Sequence, residues 1–276
     1  MRTNHPIFQG PLNPGITLDG DPWADAGDNQ KTWIVQTGKE GKENDYGVVS
    51  DGHGFEDSPD TERISGGVNS KGPRAVAIGR QANLMQWGFY CAPDRMTDSA
   101  RKVFLNAIVW MRQFDGHVPL VEKRSEARSW LVQYAETYAR MSADQADAMD
   151  NARYVDYLRK QFPPAALTGD GPAAWYSANE EYLYREGAGW QVDADLAAAK
   201  VSNRKREFFD FVIGRLEKDA GDAVASRLLQ RYAPDVKANV VAVRAWLNEA
   251  GDRLYFSDVG GYRWFVAPTG TPQPPK

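Results

Sequence analysis

The stretch AVAIGRQANLMQWGFYCAPDRMTDSARKVFLNAIVW, Ala75–Trp110, decides how the chain is read. It opens on two short apolar runs, Arg74–Gly79 and Asn83–Trp87, bounded by Gly, Pro and Asn. Runs of that length and punctuation read as strands buried on both faces, and a parallel sheet is their natural setting. After the turn Gly88–Asp94 a helix is expected. Thr97 stands where an N-cap belongs, and Asp98 puts a carboxylate in the first turn, against the positive helix end. Ala100, Phe104, Ala107, Ile108 and Met111 recur at helical spacing, and Gly116 closes the unit.

Toward the N-terminus, residues 1–30 are rich in Pro and Gly and show no periodicity, which reads as loop. Two more strands are expected, at Lys31–Thr37 and Tyr46–Ser50. They are followed by the polar segment Asp51–Pro73, a loop of a length that is uncommon without function. Toward the C-terminus the period becomes helical from Glu122: Ala127, Trp130, Leu131, Tyr134, Tyr138 and Met141 form one stripe, and Ala152, Val155, Leu158 and Phe162 a weaker one that Pro163-Pro164 ends. An aromatic segment, Trp175–Arg185, comes next, then helices over Asn203–Lys218, Asp222–Tyr232 and Asn239–Ala250. Arg253–Ser257 and Tyr262–Ala267 alternate around Asp258-Val259-Gly260-Gly261 and predict a β-hairpin, and the Pro-rich Gly270–Lys276 predicts disorder. The expected division is an α/β region over 1–118, a helical region with a terminal hairpin over 119–269, and a tail over 270–276.

Composition excludes several functions. The chain has 276 residues, 42% hydrophobic and 25% charged, enough for a sizeable core without staples. One cysteine and three scattered histidines rule out a disulfide framework, a cysteine-rich metal site and a His-x-x-x-His zinc motif, and no cofactor motif is present. A net charge of −4, with no long basic run, argues against nucleic acid. No segment approaches the ~20 apolar residues of a membrane span, and the N-terminus has no apolar signal region, so a cytoplasmic chain is expected.

The Ala75–Trp110 run, with the opening Asn4-His5-Pro6-Ile7-Phe8, resembles the closing strand–turn–helix of ThuA-like proteins, which belong with the class I glutamine amidotransferase-like proteins. The resemblance covers about residues 4–116, and the C-terminal part is similar to the tail of some members. It implies a partial flavodoxin-like, mostly parallel sheet whose front half is absent from this chain. It also implies a link to carbohydrates, and a helical half, partner or second copy covering the exposed sheet edge. The chain departs from that pattern where chemistry resides. There is no Gly-x-Cys-x-Gly elbow, and the turn that would carry the catalytic histidine reads Gly88-Phe89-Tyr90-Cys91. Glutaminase chemistry lacks both nucleophile and base.

Cys91 precedes a helix but has no base nearby in sequence, so a packed, inert thiol is expected. The loop 51–60 holds one imidazole and several carboxylates. His53, Glu56 and Asp57, with Asp94 from the following turn, form the expected acid–base set, and a solvated turn-capping loop is the simpler alternative. Trp87, Tyr90, Trp175 and Tyr176 are the expected stacking surfaces for a sugar ring, although most aromatics here sit on apolar stripes. Two functions follow: a degenerate ThuA-like module that binds a glycan or protein partner, or a carboxylate-dependent hydrolase or lyase on carbohydrates. A site where the 51–60 loop meets the Gly88–Asp94 turn is expected if the strands are parallel.

Overall fold

The computed structural model describes residues 3–20, 31–36, 50–69, 72–89, 92–140, 149–167, 171–187 and 189–271. The chain forms two compact units: Met1–Glu56 with Asp60–Pro119, and Leu120–Gln273 with the short segment Asp57–Pro59. No helix among the described residues is long and apolar enough to cross a membrane.

The first unit is built on an antiparallel sheet, and this corrects the parallel, flavodoxin-like expectation. A two-residue antiparallel pair, β1 (Asp19–Gly20) with β2 (Lys31–Thr32), precedes the main sheet. That sheet has the order β3 (Thr61–Asn69), β4 (Gly72–Gln81), β5 (Leu84–Trp87), and both pairings are antiparallel. The reason is connection length. Gln81 pairs with Leu84, so only Ala82 and Asn83 separate the strands, and Ala82 takes a positive φ of 46° in the turn. Parallel neighbours need a crossover of a dozen or more residues. A two-residue link permits a hairpin and nothing else.

The expected long loop 51–73 is in its second half a strand. In β3, register shifts fall between Arg63 and Ser65, Ser65 and Gly66, and Gly67 and Asn69. Bulges of this kind put successive side chains out of step with a two-residue alternation, which hides the strand from a periodicity reading. Of the two early strands expected, Lys31–Thr37 pairs, among its described residues 31–36, at Lys31–Thr32 and through a bridge from Gln36 to Met96. In the other, Ser50 bridges Val76 of β4, and residues 46–49 lie outside the described set.

Helix α1 (Asp98–Met111) starts as expected, with the Thr97 hydroxyl accepting from the Ala100 amide at 3.2 Å. Its buried face is Ala100, Val103, Asn106 and Ala107, so Ile108, expected inside, stands 52% exposed. Asn106 is fully buried yet satisfied. Its amide donates to the carbonyls of Ile7 and Leu12 at 3.0 and 2.8 Å and its oxygen accepts from the Leu12 amide at 2.8 Å. It thereby locks the N-terminal segment onto the helix. Ile7, Phe8, Ile64, Ile78, Val103 and Ala107 form the core of this unit.

The second unit is helical, with two hairpins set among the helices. Its helices are α2 (Trp130–Arg140), α3 (Met149–Gln161), α4 (Gly171–Asn179), α5 (Ala194–Ala199), α6 (Glu207–Lys218), α7 (Ala223–Tyr232) and α8 (Val240–Ala250). The hairpins pair β6 (Leu183–Glu186) with β7 (Gly189–Val192), and β8 (Leu254–Ser257) with β9 (Arg263–Val266). The aromatic segment Trp175–Arg185 therefore changes from helix to strand partway. α6, α7 and α8 close around Phe208, Phe209, Val212, Leu228, Leu229, Tyr232 and Val243, and a second cluster gathers Leu131, Leu158, Leu183, Trp190 and Tyr262.

A buried ion pair ties the terminal hairpin to the start of the helical region. Arg128, 2% exposed, directs Nε and Nη2 onto the Asp258 carboxylate at 2.7–3.0 Å, and its own amide donates to Asp258 Oδ2 at 2.9 Å. The same guanidinium donates to the Glu180 carbonyl and, at 3.2 Å, to Asn203 Oδ1, and lies over the rings of Phe256 and Tyr262. Burial alone lowers its pKa, but Asp258 outweighs that and holds it above the ordinary arginine value. The turn Asp258–Tyr262 is tight. Gly261 has φ +102°, and a Cβ on Gly260 would stand 2.9 Å from both the Phe265 ring and the Ser257 hydroxyl.

Candidate functional site

The residues expected to form a site divide between the two units: His53, Glu56 and Asp94 belong to the first and Asp57 to the second. His53 donates its backbone N–H to Asp51 Oδ1 at 2.8 Å and sits 3.9 Å from the same oxygen through Nε2, so Asp51 closes a local turn around it. Glu56 is exposed. Asp94 is exposed in the short 3-10 turn Pro93–Arg95. Asp57 belongs to the second unit. Its Oδ2 accepts from the Ser257 hydroxyl at 2.5 Å and from the Val259 amide at 2.8 Å, stapling the terminal hairpin turn. Burial, and next the charge of Asp258, push the Asp57 carboxyl up to about 6.

Within the first unit, Ser50 and Gly88 do reach consecutive positions on the edge of β4. The Ser50 amide donates to Val76 O, and the Gly88 amide to Ala77 O. Antiparallel pairing, not a shared carboxyl edge, brings them there. The loop then runs from this edge toward Thr61, with the Phe55 ring closed over Gly79, where a Cβ would stand 2.3 Å from it.

The expected stacking aromatics are largely committed to packing. Trp87 meets Phe89 and Phe104 edge-on, both at 5.1 Å. Trp175 and Tyr176 are half-buried against the Leu131–Trp190 cluster, and Tyr176, driven up to about 12 by burial and next by Glu180, donates to Glu180 at 3.3 Å. Tyr90 and Cys91 lie outside the described residues. Among the described residues, no group of three or more His, Cys, Asp or Glu is placed to hold a metal.

One concave site is built elsewhere, in the second unit. Tyr184, Arg185 and Glu186 of β6, Arg227, Gln230 and Arg231 of α7, and Gly261 and Arg263 of the terminal hairpin line a cleft of about 320 Å3. Sequence dictates the helix's contribution. Ala225, Leu228, Leu229 and Tyr232 recur at three- and four-residue spacing and are buried, which turns Arg227, Gln230 and Arg231 outward as one polar face.

Three of the four guanidiniums are oriented from behind. Asp193 caps the N-terminus of α5 through the Leu196 amide, and its side chain is fully buried. It accepts from Arg231 at 2.7 Å, from Arg227 at 3.2 Å and from the Tyr232 hydroxyl at 3.2 Å. Burial raises the Asp193 carboxyl, but the two arginines and the Leu196 amide more than reverse this and hold its pKa below the ordinary aspartate value. Arg227 also pairs with Asp195, and Arg231 lies over the Tyr184 ring at 3.8 Å. Arg185 pairs with Glu126 and lies 4.4 Å over Trp190, whose indole N–H donates to the Tyr262 hydroxyl at 2.5 Å. Side-chain exposure runs from 38% at Arg227 to 25% at Arg231 and 17% at Arg185. Arg263, exposed on β9, has no ion-pair partner among the described residues.

Guanidiniums held at one edge by carboxylates and at one face by rings keep their remaining N–H groups in fixed directions. Such an array suits an oxyanion. No family model matches this chain, nor does any curated protein or solved structure.

Proposed function

We propose that the chain is a non-catalytic binding module whose ligand carries an anionic group seated in the arginine cleft. The observation that supports this most is the pre-orientation of Arg185, Arg227 and Arg231 by carboxylates and aromatic rings around a single concavity. Side chains already ordered lose less entropy when a ligand binds. The missing cysteine elbow and histidine turn support a module without amidotransferase activity. The hydrolase reading needs two carboxylates facing each other across a cleft at ~5–9 Å, and Asp57 spends its carboxylate on the hairpin turn.

Thermal unfolding in oxyanion salts against chloride, at constant ionic strength, tests the binding reading. A ligand that binds only the native state at about 100 times its Kd adds ~2.7 kcal/mol of stability. The expected result is a saturable rise in Tm with carboxylate or phosphate salts and none with chloride, unchanged in Cys91→Ser. Equal shifts in all salts, or glutamate released from glutamine by the wild type and lost in Cys91→Ser, would refute it.

A further inference from the structure

The charges around the cleft are balanced. Arg185, Arg227, Arg231 and Arg263 stand against Glu126, Asp193, Asp195 and Glu186, four guanidiniums to four carboxylates among the described residues. Three of each are already paired with one another. What remains uncommitted on the lining is one guanidinium, Arg263, and one carboxylate, Glu186, whose one side-chain partner among the described residues is the Tyr184 hydroxyl at a long 3.5 Å. Gln230 adds a side-chain amide to the same lining.

This residual set is selective. A free guanidinium takes one carboxylate in a two-point fork. A dianionic phosphoryl group would add two negative charges to a neutral surround and face the Glu186 carboxylate as well. An ionised carboxylate only accepts, so Glu186 calls for O–H or N–H donors on the ligand, and the Gln230 amide both donates and accepts. At about 320 Å3 the cleft is at the small end of ligand sites, which run from roughly 300 to 1,000 Å3.

Resting on the anion-binding reading above, we propose that the cleft takes a hydroxylated monocarboxylate of monosaccharide size, a sugar acid. Its carboxylate sits on Arg263, and its hydroxyls on Glu186 and Gln230. Arg227 and Arg231 supply further donors from N–H groups that Asp193 and Asp195 do not take.

Titration calorimetry on the full chain with sodium glucuronate, glucose, glucose 6-phosphate and inorganic phosphate tests this. Glucuronate is expected to bind at least tenfold tighter than any of the other three. Arg263→Gln should weaken glucuronate by about ten- to a hundredfold, the scale of a charge-assisted pair, with an unchanged circular dichroism spectrum. Glu186→Gln should weaken glucuronate and strengthen phosphate, since it removes an acceptor and a like charge together. Phosphate or glucose 6-phosphate binding more tightly than glucuronate overturns the sugar-acid assignment and leaves the anion site standing. Glucose matching glucuronate, or no binding by any of the four probes, overturns both. Full glucuronate affinity in Arg263→Gln removes Arg263 from the site.

Discussion

Replacing Arg128 with Met removes a heavily bonded, buried side chain of the second unit while keeping its length and apolar stem. The consequences follow from what the guanidinium touches. Asp258, whose side chain is 10% exposed, loses its three side-chain contacts at 2.7–3.0 Å and keeps the amide of residue 128. Asn203 Oδ1 and the Glu180 carbonyl each lose a donor. Breaking a buried ion pair from one side costs about 3–5 kcal/mol, because the stranded charge has lost its water as well as its partner. The expected loss is therefore ~4 kcal/mol, a large part of the stability of a typical domain. Urea unfolding followed by far-UV circular dichroism reads it, since seven of the eight α-helices among the described residues belong to this unit. The second variant separates the buried charge from the lost packing. Arg128→Met combined with Asp258→Asn no longer strands a carboxylate, so it should recover about 2 kcal/mol relative to Arg128→Met alone. A single-variant loss below about 1 kcal/mol, or strict additivity in the double variant, would refute the reasoning and place Arg128 with the surface pairs.

Two further outcomes can be measured on the same unit. The Asp57 carboxyl has its native pKa raised to about 6 from 3.8, so the folded chain holds a proton that the unfolded chain releases at lower pH. Stability should then fall by about 1–3 kcal/mol as pH rises from 4 to 6 through this group; Asp57→Asn, which can still accept from Ser257 and Val259, should flatten that slope in Tm recorded across the window. Gly189→Ala should cost about 1–3 kcal/mol in the same urea assay, because its Cβ would stand 2.9 Å from the Lys160 carbonyl, a backbone atom that cannot swing aside.

How much of the fold was legible depends on the kind of signal. Helix starts were local and could be read: Thr97, Asp222 and Asn239 each accept from the amide three residues on, at the positions where α1, α7 and α8 begin. The terminal hairpin was legible too, since its alternation and glycine pair occupy one short stretch. Strand direction is encoded in the connection, not in the apolar runs. Gln81-Ala82-Asn83-Leu84 leaves two residues for a link that a parallel arrangement would need to be several times longer. Apolar content reports burial, whereas the length of the link reports direction. β3 was hidden for a different reason, because its bulges broke the alternation on which strand recognition depends.

The arginine cleft lay beyond a motif reading, because no segment of it looks unusual alone. Arg227, Gln230 and Arg231 read as the solvated face of an amphipathic helix, Tyr184–Glu186 as the end of an aromatic segment, and Arg263 as a polar position of a hairpin. Only the folded unit shows that they share one concavity. One local clue did exist. Asp193 stands three residues before Leu196 as an N-cap, and a cap that is also fully buried has lone pairs beyond the one its helix amide uses. Those lone pairs had to be met by cations or hydroxyls from elsewhere in the fold, and Arg227, Arg231 and Tyr232 meet them. The buried carboxylate thus accounts for the inner edge of two arginines and leaves their outer edges to the cleft. Arg263 and Glu186 have no comparable structural employment, and that difference makes them, and not the pinned arginines, the residues whose substitution separates ligand recognition from folding.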